Sequence, residues 1–265
     1  MYNLSGDCMK IEKIKKMSNG KYKIEFDNNE KIVTYDDIIL KNSLLYKKEL
    51  TLQELNEINK DNSYYDIYNK TINYITKRLR SEKEIDTFLD KFELEDEKQN
   101  KIKNELRKIN LIDDRKFASS YISDRIHLSN DGLEKIKTSL FNYGIESNII
   151  ESEINKIDDE VILDKLNKII KKKVVNNHKY SLYILKQKLI VELINLGYKR
   201  EMIIECLEQY KNTNNNIEKE YDRQYNKLSK KYEDDQLYYQ LKQKLYQKGY
   251  SKEEIEEVIQ KKNFN

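Results

Sequence analysis

Three of the chain's six glycines occupy matching places in three related stretches, "FNYGIESNII" from Phe141, "INLGYKREMI" from Ile194 and "YQKGYSKEEI" from Tyr246. Gly144, Gly197 and Gly249 lie 53 and then 52 residues apart. Leu140, Leu193 and Leu245 stand four residues before them, and Ile136, Leu189 and Leu241 eight before. Ile145, Tyr198 and Tyr250 follow directly, Ile150, Ile203 and Ile255 come six after, and Ile154, Leu207 and Ile259 ten after. Apolar residues four apart on both sides predict helix, break, helix. Glycine suits the break because it enters the left-handed region without a Cβ clash. The period leaves room for three helices per unit, and the absence of proline permits helix throughout. Stepping back once more reaches Glu93, with Ile85, Leu89 and Leu94 in register but Gln99 and Lys103 where apolar residues are expected, so the first unit is a degraded copy. Thin three-helix units must stack to bury a core, which predicts a mainly α fold: an elongated, curved array of tandem repeats.

A different pattern precedes the array. Alternation over Met9–Met17, Lys21–Phe26 and Lys31–Thr34, with turn signals "SNG" at 18–20 and "DNNE" at 27–30, predicts short strands that need a helical partner. Thr51 and Glu54 form a capping box before a short helix, and a polar link is expected near Lys60–Ser63. The expected organisation is a strand-rich segment over 1–62 and repeats over 63–113, 114–158, 159–212 and 213–265. Met1–Cys8 reads as a loose tail, with Met9 as an alternative start.

Charged residues make up 37% of the chain and hydrophobic residues 38%, as expected for helices with one apolar stripe and a wide wet face. Cys8 and Cys206 suggest no disulfide framework, and hence a reducing cytoplasm. No apolar run approaches the ~18 residues of a membrane span, and the start lacks signal-peptide form. His127 and His178 have no metal-ligand spacing around them, and no glycine-rich phosphate loop exists. The Asp pairs at 113–114, 158–159 and 234–235 read as helix caps rather than paired catalytic acids. Neither enzyme chemistry nor a cofactor is expected.

The near-neutral total of +3 conceals a contrast. Between Gly144 and Asp164 seven acids face one lysine. Between Lys165 and Arg200 ten basic residues face Glu192 alone: Lys165, Lys168, Lys171, Lys172, Lys173, Lys179, Lys186, Lys188, Lys199 and Arg200. Tyr180 and Tyr183 lie inside this block. Lysine interleaved with tyrosine suits a phosphate backbone with unstacked bases, and equally a solvated face.

"RLRSEKEI" at 78–85, "LIDDRKFASSYISDR" at 111–125 and "GLEKIKTSLFNYGI" at 132–145 resemble, in order, the motifs of the RecX family of bacterial recombination regulators. The strand-rich start resembles the extra segment of longer members. The resemblance implies a tandem array of three-helix modules that binds RecA, above all the RecA filament on single-stranded DNA, and lowers its ATP hydrolysis, strand exchange and co-protease activity; the four stripe-matched units themselves predict a monomer. Candidate contacts to RecA or directly to DNA are Arg78, Arg80, Arg125, Lys171, Lys172, Lys173, Lys186 and Lys188, with Gly144, Gly197 and Gly249 as structural turns. The alternatives are a protein that binds nucleic acid directly and a scaffold unrelated to recombination.

Overall fold

The computed structural model describes residues 8–177, 180–210 and 215–263. The start at 1–7, His178 and Lys179 lie outside the described residues. The chain forms two compact units, Met1–Phe117 and Ala118–Asn265.

The first unit opens with strands β1 (Cys8–Lys16), β2 (Tyr22–Phe26) and β3 (Lys31–Thr34), followed by helix α1 (Asp36–Lys41), strand β4 (Glu49–Thr51) and helix α2 (Leu52–Thr76). All strand pairs are antiparallel, in the order β3-β2-β1-β4. The turn signals supply left-handed residues at Gly20 and Asn29. α1 and β4 carry no alternation long enough to show in the sequence. The core between sheet and helix holds Ile24, Phe26, Ile38, Ile39, Leu44, Leu50, Leu55 and Ile58.

Thr51 and Glu54 form the expected capping box. The link expected at Lys60–Ser63 is absent, however, because α2 runs unbroken through it. The sheet module satisfies the two middle side chains of this run: Lys41 donates to Asp61 at 2.6 Å and the Thr34 hydroxyl to Asn62 at 2.8 Å. The core changes at this point although the helix does not. Ile58 belongs to the sheet module, whereas Tyr64 and Ile75 pack with Ile85, Leu89, Ile102, Leu106 and Ile112. The last group is supplied largely by α3 (Glu82–Leu89) and α4 (Asp96–Lys108). No described residue between Asp90 and Glu95 has a positive φ, so this glycine-less copy turns differently.

Helix α5 (Asp114–Leu128) contains the division between the units. Beyond it the helices continue in threes: α6 (Leu133–Asn142) and α7 (Ser147–Ile154) with α5, then α8 (Asp159–Val175), α9 (Leu182–Asn195) and α10 (Arg200–Glu208), then α11 (Asn215–Leu228), α12 (Asp234–Gln247) and α13 (Lys252–Asn263). Gly144, Gly197 and Gly249 have φ of 81°, 88° and 81°. Each forms a Schellman turn, in which the following residue donates back to the helix: Ile145 to Leu140, Tyr198 to Leu193 and Tyr250 to Leu245. Ile145, Tyr198 and Tyr250 are buried, as the fold-back requires.

The glycine turn also joins successive triplets in this unit. The amide of Gly132, N-cap of α6, donates to the Leu196 carbonyl at 2.6 Å, and the Glu134 amide donates to the Gly197 carbonyl at 3.1 Å. One triplet on, the amide of Ser181, N-cap of α9, donates to the Lys248 carbonyl at 3.4 Å. The same turn therefore seats on the start of the preceding triplet's middle helix in both cases.

The capping role of the Asp pairs divides. Asp113 accepts from the Lys116 amide and Asp158 from the Glu160 amide. Asp234 and Asp235 instead lie within the first turn of α12, after Glu233, and Asp234 has a φ of 45°.

Candidate functional site

Helix α8 is set by its charge order and by one stripe. Asp158 caps it, Asp159 and Glu160 occupy the first turn, and Lys172 and Lys173 the last, each sign at the favourable end of the helix dipole. Ile162, Leu166 and Ile170 recur every fourth residue and are buried. That stripe leaves Lys171, Lys172 and Lys173 exposed. Lys173 pairs with Glu192 at 2.7 Å across an exposed contact, which adds little stability. On α9, Lys186 is half-buried and Lys188 is exposed. The Lys188 ammonium sits 4.7 Å from the centre of the Tyr180 ring.

Between the end of α8 and the start of α9 lies a cleft of about 450 Å³, lined by Asn130, Ile169, Lys172, Lys173, Asn176, Asn177, Tyr180 and Leu185. Asn177 is buried and fixes its wall, donating to the Tyr180 carbonyl at 2.7 Å and accepting from the Tyr180 amide at 3.1 Å. The structure thus gathers Lys172, Lys173 and Lys188 around one short segment. The three asparagines do not stand out in a chain this rich in asparagine. Asn176 and Asn177 are signalled only by their place just after the α8 stripe, and Asn130, in the loop between α5 and α6, has no sequence signal.

Lys165, counted with the basic block, faces inward. Its ammonium donates to the carbonyls of Arg125 at 3.0 Å and Asp131 at 2.8 Å, and burial pushes its pKa down. It ties α8 to the end of α5 and the following loop. Arg125 itself is 43% exposed, lies over the Tyr121 ring at 5.0 Å and approaches Asp131 at 3.7 Å.

Arg78 and Arg80, in the first unit, converge on Glu84 at 2.5 and 3.1 Å. Arg80 also stacks 3.9 Å from the Tyr74 ring, which stacks in turn on Phe88. It is only 13% exposed. Burial would raise the Glu84 carboxyl, but Arg78, the Ser81 amide and Arg80 together hold it below its usual value. Glu84 completes the capping box of α3 with Ser81, so both arginines brace the start of that helix.

Among the described residues no group of three or more His, Cys, Asp or Glu side chains is placed to hold a metal ion, and no helix is long and apolar enough to cross a membrane.

No family model matches the chain. It is 32% identical over 242 residues to the regulatory protein RecX of Streptococcus sanguinis, covering 89% of this chain and 91% of that one. It is 31% identical to RecX of Streptococcus gordonii over the same shares, and 31% identical to RecX of Listeria monocytogenes over 73% of each chain. A crystal structure of regulatory protein RecX superposes with a TM-score of 0.65 at 22% identity, covering 76% of this chain and all of the other. That of RecX from Lactobacillus salivarius superposes with a TM-score of 0.52 at 25% identity, covering 55% and 95%.

Proposed function

The chain belongs to the RecX family of regulatory proteins, and from that membership we propose that it is a negative regulator of RecA. It binds the RecA filament on single-stranded DNA as a cytoplasmic monomer, without a cofactor, and restrains ATP hydrolysis, strand exchange and co-protease activity. The observation that carries this reading is identity of about one residue in three over nine-tenths of both chains. Its exposed charges agree with a binding role: Lys171 and Lys172 have no side-chain partner among the described residues. The test is RecA ATPase on single-stranded DNA with and without the protein. The parent should inhibit. Changing Lys171, Lys172 and Lys173 together to Glu should leave the fold intact, since exposed substitutions usually move stability by ~0.5 kcal/mol or less each. The triple variant should need much more protein for the same inhibition, most visibly at low salt. A parent that leaves RecA turnover unchanged sinks the reading.

A second reading, direct binding of nucleic acid, is favoured by the cleft at the end of α8. It predicts affinity for bare DNA that falls steeply between low and moderate salt.

A further inference from the structure

We infer that the cleft between α8 and α9 holds one unstacked nucleotide of a single strand. This deepens and rests on the second reading above, not on the RecA reading.

The cleft offers three kinds of surface. Its volume of about 450 Å³ lies within the ~300–1,000 Å³ of small-ligand sites. Ile169 and Leu185 provide apolar surface, and Tyr180 an aromatic ring from which a base would displace the Lys188 ammonium, 4.7 Å from its centre, toward the base's own phosphate. Such surface suits the face of a base, and stacking on an aromatic ring is tolerant of sequence. Asn130 and Asn176 carry side-chain amides with no partner among the described residues. Each amide offers both a donor and an acceptor, the combination that base edges present. Lys172 and Lys173 stand on the same wall for the phosphate, with Lys171 beside them and Lys188 over Tyr180. Glu192 engages Lys173 through an exposed pair that a phosphate can replace.

An acidic peptide would use the lysines, and its backbone could pair with the free amides, but it brings no flat face for the ring. A duplex would present phosphates with its bases already stacked and paired. A single strand matches all three surfaces at once. Tyr180 is held ready for this by Asn177, which grips its backbone at both the amide and the carbonyl.

The experiment measures fluorescence anisotropy of a short labelled oligo(dT) with the full chain at low salt, alongside a duplex of equal length and an acidic peptide. Tyr180→Ala should weaken oligo(dT) binding about tenfold, in line with loss of one stacked base, while Tyr180→Phe restores it. Asn176→Ala should weaken it less, and the duplex and peptide should bind more weakly than oligo(dT). Parent binding that Tyr180→Ala leaves unchanged overturns the nucleotide cleft while the direct-binding reading stands. A parent that binds no oligo(dT) overturns both. Preference for the acidic peptide, lost with Tyr180→Ala, makes the cleft a protein contact and overturns the proposal. RecA ATPase inhibition, run on the same variants, reports separately on the RecA reading.

Discussion

The two joints in the second unit use the same left-handed glycine against different ground. A Cβ on Gly197 would lie 2.4 Å from the Lys135 backbone nitrogen, and one on Gly132, across the joint, 2.5 Å from the Gly197 carbonyl carbon. Backbone meets backbone there. A Cβ on Gly249 would instead meet the Ile184 Cγ1 at 2.2 Å and the Ser181 hydroxyl at 2.7 Å, which are side-chain atoms. Capping differs in the same way. Gly132 has no side chain to cap α6, and the Gly197 carbonyl accepts from the Glu134 amide instead. Ser181 caps its own helix by accepting from the Ile184 amide. One joint is thus closed by shared backbone bonds, and the other by a self-capped helix with a looser 3.4 Å contact. A residue with a side chain at the receiving N-cap makes a helix start independent of its neighbour, whereas glycine makes the two triplets depend on each other.

Gly197→Val should break the tighter joint with the largest effect. Strain at positive φ and forced overpacking, each ~1–3 kcal/mol, together imply a loss of about 3–5 kcal/mol in denaturant unfolding. An unchanged unfolding midpoint would remove Gly197 from the joint. Gly132→Ala separates the two causes. Gly132 has a φ of −86°, which any residue adopts, so only the close approach remains, with an expected loss of ~1–3 kcal/mol. Gly249→Ala should cost least of the three, roughly 1–2 kcal/mol from its positive φ, because Ile184 and Ser181 can rotate away. A larger loss for Gly249→Ala than for Gly132→Ala would reverse the comparison between the joints.

The turns were legible in the sequence because a Schellman turn needs glycine and a fold-back residue at fixed local spacing, and these recur with the stripe. The joints were not. Gly132 precedes its triplet's glycine by 12 residues and Ser181 by 16, since α6 has 10 residues and α9 has 14. One added helical turn keeps the stripe but moves the N-cap out of register. The polar run at Lys60–Ser63 misled for a related reason, because its partners Thr34 and Lys41 come from a distant module. At the candidate site the lysines were visible as composition. That Lys165 turns inward to the Arg125 and Asp131 carbonyls depends on α8 meeting the loop after α5, a tertiary contact with no local signature.

The smallest effect should come from the residue after each glycine. Tyr198 and Tyr250 hold equivalent places, both buried. Burial pushes each phenol up to about 12, assisted by Asp131 for Tyr198 and by Glu220 for Tyr250. A phenol with a raised folded value keeps its proton longer in the folded chain than in the unfolded one. Between pH 10 and about 12 the folded state therefore binds more protons, and stability falls as pH rises across that window. Replacing either residue by Phe should flatten this alkaline slope in urea titrations taken at successive pH values. At neutral pH the two should part. The Tyr198 hydroxyl is buried without a hydrogen-bond partner, so Tyr198→Phe discards a polar group that gains nothing from folding and should stabilise by up to ~1 kcal/mol. The Tyr250 hydroxyl is not orphaned in this way, so Tyr250→Phe should give no such gain. Equal gains from both would mean that the tighter joint carries no strain of its own at Tyr198. A loss from Tyr198→Phe would mean that its hydroxyl finds a partner in solution, Asp131 being the charge that acts on it.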